Sequence, residues 1–158
     1  MISKKSSTPV VLIAAMAVGT TLWVSRDARG ATAAGDSVLV VPVSGKVKGP
    51  SESISFSGDA RVRTHVRTET EFDDPPGVTV SVNLTGLTGT DGSGKKYEIS
   101  GEQQIVRPFQ ESDTVEVTFS YYAAGGDQGG GGVGTMSLKL RFDPKSGALL
   151  HAAGRFED

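Results

Sequence analysis

The chain has 158 residues, enough for one domain, and a formal net charge of −2 at neutral pH. It contains no cysteine, which excludes a disulfide-stapled scaffold and a cysteine-ligated metal site. Its charge balance provides no strongly basic field, so a nucleic-acid partner is not expected.

The N-terminus has the order of features that is typical of a secretory signal. Lys4 and Lys5 precede an apolar run at residues 10–24, and Ala31-Thr32-Ala33 follows with the small-x-small form that a signal peptidase needs. The apolar run has 15 residues, whereas a helix that spans a bilayer needs roughly 18 to 20. We therefore predict a cleaved signal.

The predicted boundary divides the chain into a signal at 1–34 and a single all-β domain at 35–158. An uncleaved N-terminal anchor is the alternative, because Arg26 and Arg29 make the approach to the cleavage site unusually polar. Cleavage would leave 12 Lys and Arg against 17 Asp and Glu, a mildly acidic domain. An exported chain without cysteine suits a bacterial envelope, so we expect it to be secreted or periplasmic, touching a membrane only through an uncleaved N-terminus.

Two strands are predicted in the first half of the domain. Residues 37–47 form the first strand. Residues 53–72 form the second, in which apolar or threonine side chains occupy the even positions and charged side chains occupy most odd positions. Because no flat sheet uses a strand that long, we expect a bend at Gly58.

The proline-rich residues 73–77 predict a loop, and residues 78–84 alternate again. We predict that they pair with the long strand in a hairpin. The position sum, meaning the sum of the residue numbers of two opposite residues, is then about 150, so Phe72 lies opposite Val78 and Val66 opposite Leu84. Both apolar faces then coincide, as a correct register requires.

The clearest strand is 114–122, which alternates without a defect. Before it, 86–94 predicts a turn-rich connection and 97–106 a weaker strand. A position sum near 220 places Ile99 against Tyr121, Ile105 against Val115, and the Phe119 ring over Gly101, a stabilising arrangement.

The glycine-rich residues 123–134 predict a mobile loop, because four successive glycines make an ordered backbone expensive. Alternating residues 136–142 and 148–156 then predict a last hairpin at a sum near 290, with Leu150 on the inner face. The fold class is all-β. We expect about seven to eight strands in an antiparallel meander that forms a sandwich or a flattened barrel.

Four potential cations lie at alternate positions of the long strand: Arg61, Arg63, His65 and Arg67. One interpretation is a binding site for an anion such as a phosphate, an acidic sugar or an acidic protein surface. The other is an ordinary solvated strand face whose charge nearby acids offset. Tyr122 is a further weak candidate, since it is the one ring expected on a wet face, although one ring is no carbohydrate platform.

No catalytic or metal site is visible. There is no Gly-x-Ser-x-Gly motif, only two histidines occur, and the loops at Asp91 and Asp127 lack the further carboxylates that calcium needs. We therefore expect no enzyme and no cofactor. The sequence favours an exported domain that binds a protein or an envelope component such as a glycan, through the outer strand face at residues 61–67 and the loops at 72–78 and 123–134.

The alternative function is a carrier of small apolar ligands inside a closed barrel. Small residues on the predicted inner face could leave the necessary cavity, or could simply allow close packing. They are Gly58, Ala60, Gly101, Ala148, Ala152 and Gly154.

Overall fold

The computed structural model describes residues 26–27, 31–32, 36–67, 77–125 and 130–157. Within these ranges every regular element is a strand and none is a helix, which confirms the all-β prediction. Accordingly, none of the described residues lies in a helix that could cross a membrane. Residues 1–25 lie outside the described part, so the signal and its cleavage remain predictions.

The sheet contains eleven strands, two of which are two-residue segments. Nine longer strands follow these two, and the prediction of seven or eight was therefore slightly low. The bounds are β1 Arg26–Asp27, β2 Ala31–Thr32, β3 Asp36–Lys48, β4 Ser53–Arg67, β5 Gly77–Asn83, β6 Thr88–Thr90, β7 Lys96–Ser100, β8 Glu102–Pro108, β9 Ser112–Ala123, β10 Gly132–Phe142 and β11 Leu149–Glu157.

The strand pairings form one large sheet whose path returns to its start. The path runs through β3, β11, β10, β9, β7, β6 and β4, and β4 pairs with β3 again. All pairs are antiparallel except β3 with β11, which run in parallel from Val43↔Gly154 to Gly45↔Phe156. A closed path of seven strands needs one such parallel pair, because an odd number of strands cannot alternate in direction all the way round. Strand β5 pairs with β4 and with β8.

At Gly58, where the sequence predicts a bend, φ is 152° and the strand changes its partner on one side. Up to Ser57 the strand pairs with β6, and from Arg61 onward it pairs with β5. The even positions from Ile54 to Val66 are buried except Gly58 itself, and the odd positions are exposed, as the alternation predicted.

The predicted register of β4 with β5 is wrong by six in the position sum. Val66 lies opposite Val78 rather than Leu84, and Val62 lies opposite Val82. The buried faces still coincide, because a shift by an even number leaves the alternation unchanged. Parity alone therefore could not fix this register.

The pairing of Ile99 with Tyr121 is confirmed, but that of Ile105 with Val115 is wrong. At Gly101, where φ is 140°, the chain turns away from β9, and Ile105 lies opposite Val80 of β5. The weak strand is thus two strands, β7 and β8.

Aromatic rings do lie over cross-strand glycines, although not at the predicted Gly101. Gly134 is the partner of Phe119, and a Cβ on Gly134 would lie 2.6 Å from that ring. Gly89 holds the same relation to Phe56, at 2.5 Å. These close approaches require glycine in β6 and at the start of β10.

The two predicted glycine-rich loops are consequently shorter than expected. Strand β6 lies within the turn-rich residues 86–94, and β10 begins at Gly132 inside the predicted loop 123–134. From the sequence we expected these glycines to make the backbone flexible. In the structure, several of them instead leave space for an aromatic ring of a neighbouring strand.

The last hairpin pairs Met136 with Phe156 and Leu140 with Ala152, close to the predicted sum. The prediction for Leu150 is wrong. The register shifts between Arg141 and Phe142, so Leu149 is buried and Leu150 is 39% exposed.

One hydrophobic core occupies the inside of the sheet. Its centre is aromatic, with the Phe119 and Phe156 ring centroids 5.2 Å apart and Phe56 5.6 Å from both Tyr121 and Phe156. The outer surface of this packed sheet carries the candidate sites.

Candidate functional site

The four predicted cations lie on the outer face of β4, and all four are exposed. We call Arg61, Arg63, His65 and Arg67 the β4 cationic row. Alternate residues of a strand are about 6.7 Å apart, so the row extends over roughly 20 Å. The alternation of β4 in the sequence was the signal that placed them together.

The residues beside the row are largely uncharged. On β3, Val40 lies opposite Arg61 and Val38 opposite Arg63. On the other side, β5 places its half-buried polar residues Thr79, Ser81 and Asn83 opposite His65, Arg63 and Arg61. The cross-strand neighbours of Arg61 and Arg63 therefore supply apolar, hydroxyl and amide groups, and the one carboxylate opposite the row in these two pairings is Asp36, which faces His65.

Histidine differs from the arginines within the row. His65 Nδ1 contacts Asp36 Oδ1, the carboxylate in register with it on β3. Among the described residues, no ion pair is formed by Arg61, Arg63 or Arg67. Three of the four cations thus keep their charge available on this part of the surface.

Tyr122 is exposed, as predicted, with 53% of its surface accessible. It lies on β9 opposite Glu98 of β7, which lies opposite Thr88 of β6. Three strand spacings, roughly 14 Å, therefore separate β9 from β4. The structure does not bring Tyr122 together with the cationic row.

A groove of about 510 Å³ lies over the outer face of β9, β10 and β11. Its first row of side chains consists of Ser112, Arg141 and His151 in register, and the next contains Thr114 and Lys139. Sequence reasoning missed this group, because its members are almost 40 residues apart and meet only through the pairing of three strands. The one indication in the sequence was that His151 occupies an outward-facing position of the predicted last strand.

A smaller opening of about 280 Å³ lies where β8 and β9 diverge. The Thr118 N–H donates to Gln103 Oε1 at 2.8 Å across this gap. The opening reaches inner-face residues such as Val82 and Phe119. It is slightly smaller than a typical small-molecule pocket of 300 Å³ or more.

The small residues considered for a ligand cavity differ in their surroundings, and Gly101 lines the smaller opening. Gly58 and Gly101 are exposed, and Ala60 and Ala152 are fully buried in the core. A Cβ on Gly154 would lie 2.8 Å from Val43 Cγ1. The surroundings of Ala60, Ala152 and Gly154 therefore favour close packing, the second of the two interpretations.

The acidic loop at Asp91 is a turn. Asp91 Oδ1 accepts hydrogen bonds from the Ser93 hydroxyl and from the N–H groups of Ser93 and Lys95. The Ser93 hydroxyl is the main reason that the pKa of Asp91 lies below its ordinary value. Within the described ranges no group of three potential metal ligands occurs. Asp127 lies outside those ranges.

Comparison with known proteins gives no relative: no family model, no curated protein and no solved structure matches this chain.

Proposed function

We propose that this protein is an exported, non-enzymatic β-domain that binds an acidic envelope glycan through the β4 cationic row. The observation that carries the proposal is that Arg61, Arg63 and Arg67 are exposed in one line without an ion-pair partner among the described residues. Guanidinium groups bind carboxylate and sulfate through paired, charge-assisted hydrogen bonds.

The shape of the row favours a linear polyanion over a single small ion. Three charges repeat along roughly 20 Å of strand, and a chain of acidic sugars presents charge at intervals in the same way. Ser81 and Asn83 beside the arginines provide polar groups for sugar hydroxyls. An acidic protein surface is the alternative partner.

The proposed scaffold is a flattened barrel that is secreted or periplasmic after removal of residues 1–34. The closed path of strand pairings and the continuous core support it. A rigid sheet holds the arginines at fixed spacing, which lowers the entropy lost on binding. The apolar-ligand carrier receives less support, because a Cβ on Gly58 would lie 3.1 Å from Leu87 Cγ and a Cβ on Gly154 would lie 2.8 Å from Val43 Cγ1.

Charge reversal tests the proposal. The variant Arg61→Glu, Arg63→Glu, Arg67→Glu changes the net charge by −6, and so does the control Lys46→Glu, Lys96→Glu, Lys145→Glu at exposed positions elsewhere. We expect immobilised polygalacturonate to retain the wild type and the control variant, and to lose the arginine variant.

Immobilised poly-glutamate is the parallel probe for an acidic polypeptide. Retention on poly-glutamate but not on polygalacturonate would replace the glycan by a protein partner. Equal retention of both triple variants on polygalacturonate would contradict the role of the cationic row.

A further inference from the structure

We propose that the groove over β9, β10 and β11 is a second binding site, for a small anion that carries carboxylate or phosphate groups. The nearest strand of the groove, β11, lies two strands from β4 along the path β4, β3, β11. It is thus separate from the cationic row and does not depend on the proposed glycan function.

The size of the groove suits a small molecule. Its volume of about 510 Å³ falls within the range of roughly 300 to 1,000 Å³ that is typical of ligand pockets. Leu140 and Ala153 contribute to its lining, and Ala153 is only 6% exposed. Short side chains at its base allow the longer flanking residues to form walls.

The groups that line the groove favour an anion. Arg141 and His151 lie side by side on neighbouring strands, and among the described residues neither forms an ion pair. The Ser112 hydroxyl lies on the other side of Arg141. A guanidinium, an imidazole and a hydroxyl are together suited to a carboxylate or phosphate oxygen.

The acidic residue in the lining is already engaged. Asp113 Oδ2 lies 3.5 Å from Arg107 Nε, and Asp113 Oδ1 accepts the Thr114 N–H at 2.8 Å. The Asp113 side chain is only 10% exposed. Its charge is therefore offset locally, and the groove stays electropositive. Arg141 lies between Ser112 and His151 in this row, so it is the residue on which binding depends most.

A titration of the full ¹⁵N-labelled chain with inorganic phosphate and, separately, with citrate tests the site. We expect either anion, at up to about 10 mM, to shift the backbone amide signals of residues 112–114, 139–141 and 151–153. The tighter of the two anions identifies phosphate or carboxylate as the preferred group. Absence of shifts in these segments with both anions would overturn the proposal.

Variants assign the effect to the groove. Arg141→Gln should weaken binding at least about tenfold, because one charge-assisted hydrogen bond is lost. His151→Gln should weaken it by a smaller factor, and Lys46→Gln, an exposed cation on β3, should leave it unchanged. Equal affinity of Arg141→Gln and wild type would contradict the site. The triple arginine variant of β4 should still bind the small anion, which separates this proposal from the glycan function.

Discussion

At the scale of single residues, the glycines opposite aromatic rings leave no room for a larger side chain. A Cβ on Gly89 would lie 2.5 Å from Phe56 Cδ1 and 2.9 Å from Ile54 Cγ2. We expect Gly89→Ala to lower the free energy of unfolding by roughly 1–3 kcal/mol, because the core must move to admit one methyl group. Urea unfolding at constant m-value measures the loss. The exposed neighbour Thr88→Ala should change stability by less than about 0.5 kcal/mol, and an equal loss in both variants would contradict this explanation.

Asp143 in the last turn gives a prediction for pH. The N–H groups of Ser146 and Lys145 and the Ser146 hydroxyl donate to its carboxylate, and the Ser146 N–H is the main reason that its pKa lies below the ordinary 3.8. A carboxyl whose pKa is lower in the folded state stabilises that state above the unfolded pKa. This stabilisation disappears as the pH falls through the folded value.

We therefore expect the urea midpoint of the wild type to fall more steeply than that of Asp143→Asn between about pH 5 and pH 2. Glu111→Gln, which replaces another exposed carboxylate, is the control and should follow the wild type. Parallel curves for Asp143→Asn and wild type would show that the turn does not contribute to the acid sensitivity.

At the scale of strands, the seam between β3 and β11 depends on a side chain. The two strands pair over only three residues, and farther along the Leu149 N–H donates to Ser37 Oγ at 2.9 Å in a buried position. Ser37→Ala leaves that N–H without its partner, so we expect a loss of roughly 1–3 kcal/mol in urea unfolding. Ser44→Ala, exposed on the same strand, should be nearly neutral. A neutral Ser37→Ala would indicate that the seam does not need this bond.

The strands also show how far sequence reasoning reaches. Period-2 alternation located β3, β4, β9, β10 and β11, because a buried face leaves a direct trace in the sequence. Alternation could not fix the register of β4 with β5, since every even shift satisfies it equally. It also could not show that the glycines of β6 and β10 are packed against rings, which depends on residues of other strands.

At the scale of the whole molecule, the two candidate sites differed in how visible they were in the sequence. The β4 cationic row lies on one strand, so its alternation placed all four residues on one face correctly. The groove combines residues of three strands, and only the pairing of β9, β10 and β11 brings Arg141 beside both Ser112 and His151. Sites assembled across a sheet need the topology as well as the pattern.

The central claim is that Arg61, Arg63 and Arg67 on β4, which form no ion pair among the described residues, hold an acidic glycan by charge. The most direct measurement is the Kd of a fluorescent oligogalacturonate at increasing NaCl, for the wild type and for Arg61→Gln, Arg63→Gln, Arg67→Gln. The account predicts wild-type binding that weakens steeply with salt, because screening reduces attraction between exposed charges, and weak, nearly salt-independent binding by the variant. Equal affinity and equal salt dependence of the two proteins would contradict it.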